Sequence, residues 1–99
     1  AAKAGVQVVS RDELGAAGRL VAAADLNAVP PEGIEGLGVL DDRKTLAAAP
    51  ERAVGIGALA VGQVKYQTQR RLFERMLAGE AVTLGLAECF EMARAVCRE

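Results

Sequence analysis

The sequence predicts an α/β fold: a fragment of parallel sheet closed by amphipathic helices. Three observations predict it. Leu20, Val21, Ala22, Ala23 and Ala24 form an unbroken apolar run ending at Asp25, the pattern of a strand buried on both faces of a parallel sheet. Residues 57–77 place apolar side chains at helical spacing, and residues 83–97 do so again.

The elements follow in chain order. Gly5, Val6, Gln7, Val8 and Val9 make a short apolar segment with strand propensity. Ser10 is placed to cap a brief helix whose first turn carries Asp12 and Glu13, where the helix dipole favours negative charge. Gly15 and Gly18 are expected to stop it. The apolar run over 20–25 comes next. A buried helix is its competitor, but the run is short and leads straight to the breaker Pro30-Pro31. Gly33, Gly36 and Gly38 signal loop, Val39 and Leu40 a short extended piece, and Asp41-Asp42 a turn. In the long helix Val61, Val64, Thr68, Leu72 and Met76 share one face, flanked by Tyr66, Phe73 and Leu77. Arg70, Arg71, Glu74 and Arg75 share the other, and Ala78-Gly79 closes it. Thr83 is placed to cap the last helix. Its expected buried side is Leu86, Cys89, Phe90, Met92, Ala93 and Val96, and its wet side Glu88, Glu91, Arg94 and Arg98.

At 99 residues the chain has room for one small domain. Its 52% hydrophobic content argues against disorder. Only 3% is aromatic, which leaves little stacking surface for single-stranded nucleic acid. Twelve basic against 13 acidic residues give a formal net charge of −1, without the footprint of a nucleic-acid or anionic-membrane binder. No run approaches the ~18 apolar residues of a membrane span. Histidine is absent, which removes the commonest general base and metal ligand. Cys89 and Cys97 would be separated by about 12 Å of rise on a continuous helix, too far for a disulfide. Two thiols without histidine also make a poor zinc site, so no metal is expected. Both cysteines read as thiols of a reducing compartment, the cytoplasm. The opening Ala1-Ala2-Lys3-Ala4-Gly5 is neither a signal peptide nor an initiator methionine, and a parallel sheet normally needs more strands than are visible. The chain is therefore expected to begin inside a longer protein.

Three places offer chemistry. Asp25, Asn27 and Val29 belong to the stretch Asp25-Leu26-Asn27-Ala28-Val29-Pro30-Pro31, at the C-terminal end of the expected strand. Open parallel sheets bind ligands in the crevice beyond such strand ends. The competing reading is that Asp25 and Asn27 satisfy loop backbone groups. Lys65 lies within the apolar arc of the long helix, between Val61, Leu72 and Met76. A lysine entering a partly apolar cleft can serve as a base or an electrostatic anchor. The competitor is a lysine snorkelling to the rim of an interface. Gly55-Ile56-Gly57-Ala58-Leu59-Ala60 has the form G-x-G-x-x-A, a weak match to the dinucleotide fingerprint. These glycines read instead as permitting close backbone packing at the helix start.

Two blocks carry a resemblance. The first is Val21-Ala22-Ala23-Ala24-Asp25-Leu26-Asn27-Ala28-Val29-Pro30-Pro31-Glu32-Gly33-Ile34-Glu35-Gly36. The second is Ala53-Val54-Gly55-Ile56-Gly57-Ala58-Leu59-Ala60-Val61-Gly62-Gln63-Val64-Lys65. Together, and in this order, they resemble the C-terminal region of the NAD(P)-dependent methylene-tetrahydromethanopterin dehydrogenases of methylotrophic bacteria. The resemblance covers nearly the whole chain. It implies that residues 1–99 are the C-terminal part of a Rossmann-type parallel-sheet domain that binds NAD(P). The N-terminal domain and the Gly-rich phosphate loop would then lie upstream.

The implied activity is oxidation of the methylene bridge of tetrahydromethanopterin to the methenyl form, with hydride transfer to NADP or NAD in one-carbon metabolism. Lys65 matches the family lysine of the G-x-x-K segment, which positions the pterin and stabilises charge. Asp25, Asn27 and Val29 match the loop beside the nicotinamide, with Asn27 the expected direct contact. The full-length protein is expected to be a homo-oligomer, and the 99 residues alone to be inactive. Two other readings stand beside this one: a methylene-tetrahydrofolate dehydrogenase, and a non-catalytic binding or assembly module.

Overall fold

The computed structural model describes residues 3–50, 52–81 and 83–99. The chain falls into two units, 1–61 and 62–99.

The first unit begins with the segment 5–9, which does not form a strand as its composition suggested. It makes one parallel bridge, Val9 to Ile34, and the Val8 and Val9 amides both donate to the Gly33 carbonyl. Helix α1 (Arg11–Ala16) follows. Ser10 caps it through the Glu13 amide, and the Glu13 carboxylate accepts from the Ser10 amide, a reciprocal capping box. Gly15 lies inside the last turn rather than ending the helix. Its Leu14 is buried.

Strands β1 (Ala22–Ala24), β2 (Lys44–Thr45) and β3 (Val54–Ile56) form a sheet in the order β1-β3-β2. β1 runs parallel to β3, with Ala23 opposite Gly55, and β2 runs antiparallel to β3. The sheet is therefore mixed, not purely parallel as expected. The apolar run over 20–25 does form a strand, but an edge strand: Ala22 and Ala24 are exposed, and Val21 keeps 77% of its surface. An unbroken apolar run reports the chemistry of a buried strand, whereas burial needs a neighbour on each side. Val39 and Leu40 form a turn instead of an extended piece.

The core of this unit is Leu14, Leu37, Leu46 and Ala53, with Val9, Leu20, Ala23 and Ile34 packed against it. Each fully buried leucine contributes about 2 kcal/mol relative to exposure. Gly55 is at the centre of the sheet because Leu37 and Leu46 occupy the space where its Cβ would lie, 2.7 Å and 2.9 Å from their methyl carbons.

Helix α2 (Ala58–Leu77) leaves β3 after a single intervening residue, Gly57. Within the second unit it buries Thr68 and Leu72, and the Thr68 hydroxyl donates to the Val64 carbonyl. Met76, expected on that face, is exposed. The helix ends in a Schellman motif, with Gly79 at positive φ, its amide bonded to the Met76 carbonyl and the Glu80 amide to the Arg75 carbonyl. Helix α3 (Leu86–Cys97) starts from Gly85, not from Thr83: the Glu88 carboxylate accepts the Gly85 amide at 2.9 Å. No α3 side chain is fully buried. Cys89, Met92, Ala93 and Val96 are half-buried, but Leu86 and Phe90 of the expected buried side are exposed. Cys89 and Cys97 are free thiols.

Candidate functional site

The site grows from the point where β1 ends. The Asp25 amide makes the last sheet bond, to the Ile56 carbonyl, and the chain then turns out of the sheet. The Asp25 side chain is buried and organises that exit. Oδ1 accepts the Asn27 amide at 2.9 Å, an Asx turn, and Oδ2 accepts the Ile34 amide at 3.1 Å across the loop. Asn27 then takes over. Its Oδ1 accepts the amides of Val29 and Gly5, and its Nδ2 donates to the Pro31 carbonyl at 2.9 Å. Two side chains thus fix a ten-residue exit loop and tie the segment at Gly5 to it.

These bonds frame a cavity of about 600 Å³. Val6, Val8, Leu26, Val29 and Ile34 line it with apolar surface, and Asp25 and Asn27 lie in its wall. Val6, Val8, Leu26 and Val29 are all more than two-fifths exposed, so the lining faces open space. A largely apolar wall with a few anchored polar groups suits a flat, partly apolar ligand. Both Asp25 oxygens are engaged with the backbone, as the competing reading of this residue expected. The Asn27 NH₂ carries two donors, of which one is bonded among the described residues.

The structure therefore brings Asp25, Asn27 and Val29 together around one cavity. Lys65 belongs to the second unit. It is exposed on α2 and makes no hydrogen bond or ion pair with the described residues.

The glycine-rich stretch 55–60 does sit between a strand and a helix, a context that its sequence neighbourhood concealed. It is nevertheless not built to cradle phosphate. The Gly57 amide donates to the Asp41 carbonyl and the Leu59 amide to the Val39 carbonyl, each at 2.8 Å. Donors that would otherwise meet an anion at a helix start are thereby used. A Cβ at Gly57 would overlap the Gly38 carbonyl oxygen, so this glycine serves close backbone packing. The 38–41 turn is set by Asp41, which accepts the Gly38 amide at 2.6 Å and pairs with Lys44 at 3.2 Å. These contacts hold its carboxyl below the ordinary aspartate value. In the second unit Arg71 grips Glu99 with both guanidinium nitrogens, which lowers the Glu99 carboxyl and raises the arginine.

Sequence reasoning missed two parts of the site. The segment 5–9 supplies a wall, and Gly33 supplies the space beside Asp25. The Asp-x-Asn pair after an apolar run indicated a backbone-organising loop, but no local signal indicates which distant segments it ties down.

Fold and site together define a small mixed α/β unit that offers an apolar cavity at the end of a parallel strand pair and continues into a helical segment. No protein-family model matches the chain. Over 94 residues, 94% of its length, the chain is 44% identical to the NAD(P)-dependent methylenetetrahydromethanopterin dehydrogenase of Methylorubrum extorquens, and it resembles the C-terminal part of that protein. It spans 31% of that relative's length.

Proposed function

We propose that this chain is the C-terminal portion of an oxidoreductase that oxidises methylene-tetrahydromethanopterin to the methenyl form, passing a hydride to NADP or NAD. The observation that carries the reading is the 44% identity over 94% of the chain to a dehydrogenase of that name, combined with a preformed cavity at the strand end. In this reading residues 1–99 complete a Rossmann-type domain. The parallel β1–β3 pair and the direct passage from β3 into α2 support that placement. The enzyme would be a cytoplasmic homo-oligomer. Free thiols support the reducing compartment, and among the described residues no helix is long and apolar enough to cross a membrane.

The residues present fit a nicotinamide end better than a phosphate end. The cavity wall is apolar and carries an amide donor on Asn27, whereas the Gly57 and Leu59 amides at the start of α2 are already bonded. When bound, the nicotinamide accepts the hydride, so the chain's task is positioning rather than proton abstraction. Asp25 holds the loop, Asn27 and Val29 face the ring, and the apolar wall offers it a surface to pack against. Lys65 would anchor the pterin and stabilise charge near it from α2.

The experiment is a hydride-transfer assay of the full-length protein. Methylene-tetrahydromethanopterin and methylene-tetrahydrofolate are each offered with NADP and NAD. Reduction of either nicotinamide, faster with the methanopterin, is expected. Faster turnover with the folate would favour the folate-linked reading, and no reduction with either pterin would reject both.

A further inference from the structure

The cavity at the strand end takes its apolar lining from separate stretches of chain. Leu26 and Val29 belong to the exit loop, and Val6 and Val8 to the segment 5–9. One atom joins the two stretches. Asn27 Oδ1 accepts the Val29 amide at 3.1 Å and the Gly5 amide at 3.2 Å, which engages both lone pairs of that oxygen. The Asn27 nitrogen, bonded to the Pro31 carbonyl at 2.9 Å, holds the side chain in this orientation. The stretches also touch here: a Cβ on Gly5 would lie 3.6 Å from a Val29 methyl carbon and 3.5 Å from the Pro30 carbonyl oxygen. Gly5 turns the chain at a positive φ of 74°. The far end of the segment is fixed by the Val8 and Val9 amides on the Gly33 carbonyl and the Glu35 amide on the Val9 carbonyl. Val6 lies between these two fixed points. It keeps 44% of its surface open and Val29 keeps 52%, so both have apolar area to offer a ligand.

We propose that Val6 and Val29 are the two jaws of a slot for a flat heteroaromatic ring, and that Asn27 is the positioning residue that sets its width. The proposal rests on the reading of the chain as part of a nicotinamide-dependent dehydrogenase, which makes the ring that of the nicotinamide. Apolar side chains packed on a planar ring fix the plane in which it lies, and orientation is what hydride transfer asks of the protein. Without Asn27 Oδ1 the Gly5 end of the segment loses its tie to the exit loop, and Val6 is no longer held at a set distance from Val29. Asn27 thus acts on the ring through Val6 as well as from its own place in the wall.

The test is a double-mutant cycle in the full-length protein. Calorimetry reads the binding of NADP or NAD, and of the matching ADP-ribose, which lacks the ring. Val6→Ala is expected to weaken the dinucleotide about fivefold and to leave ADP-ribose unchanged. Asn27→Ala is expected to weaken the dinucleotide about tenfold, again sparing ADP-ribose. In the double variant the Val6 substitution should add less than about twofold, because the residue is already out of place. Its full effect in the Asn27→Ala background would overturn the positioning role. A dinucleotide affinity unchanged in Val6→Ala, or an equal loss for ADP-ribose, would overturn the slot. An unaltered protein that binds neither dinucleotide would reject the dehydrogenase reading and the proposal with it, an outcome distinct from each of these.

Discussion

Gly33 is packed against the carboxylate of Asp25 so closely that a single methyl group does not fit between them: a Cβ at position 33 would lie 2.7 Å from Asp25 Oδ1. The two residues meet because Asp25 reaches across the exit loop to the Ile34 amide. Gly33→Ala is therefore expected to push the carboxylate off its donors. The cost should be about 1–3 kcal/mol of stability, read as a lower denaturation midpoint of the full-length protein. An unchanged midpoint would mean that the loop can open around the methyl group.

Asp25→Asn keeps the shape of the side chain but replaces one accepting oxygen by an NH₂ group. That group would face the Asn27 or the Ile34 amide, donor against donor, in a buried place. A loss of about 1–3 kcal/mol is expected. In the full-length enzyme the Michaelis constant for the nicotinamide should rise with it, because the loop that carries Asn27 and Val29 loses its anchor. Chemical denaturation and steady-state kinetics on one preparation check both.

Gly57 occupies the step from β3 to α2, beneath the 38–41 turn. Gly57→Ala would overlap the Gly38 carbonyl and break the bonds from Gly57 and Leu59 to that turn. The expected loss is about 3 kcal/mol, larger than for an ordinary surface glycine. Amide exchange at Gly57 and Leu59 should accelerate in the variant before exchange elsewhere in the sheet does.

The same turn carries a pH dependence. The Asp41 carboxyl is held low first by the Gly38 amide and then by Lys44. A group whose folded value is depressed stabilises the fold above its unfolded value and loses that contribution as pH falls through the folded value. Acidification below the ordinary aspartate range is thus expected to loosen the turn, seen as faster Gly38 amide exchange. Asp41→Asn should remove this pH dependence. A Gly38 exchange rate with the same acid response in the variant would assign the effect to another group.

The helices were the most legible part of the sequence. Ser10 with Glu13, and Ala78-Gly79, announced ends that form as read, because capping depends on residues three or four apart. The sheet was less legible. β2 is two residues of a charged loop, Lys44–Thr45, which pairs only because β3 lies beside it. β3 itself hides in Val54-Gly55-Ile56, where glycine suggested a helix entry and Leu37 and Leu46 explain the glycine. At the site, Asp25, Asn27 and Val29 were readable as strand-end residues. The partners that give Asp25 and Asn27 their geometry, Ile34 and Gly5, are far along the chain, and no local pattern indicates them.

Lys65 offers the most direct measurement of the central claim, that this segment furnishes part of a hydride-transfer site. It is exposed on α2 and without a partner among the described residues, so it contributes little to this fold. In the full-length enzyme, Lys65→Ala is expected to lower turnover with methylene-tetrahydromethanopterin by about 100-fold and to leave the melting temperature and the oligomeric state unchanged. Turnover equal to that of the unaltered enzyme would contradict the account.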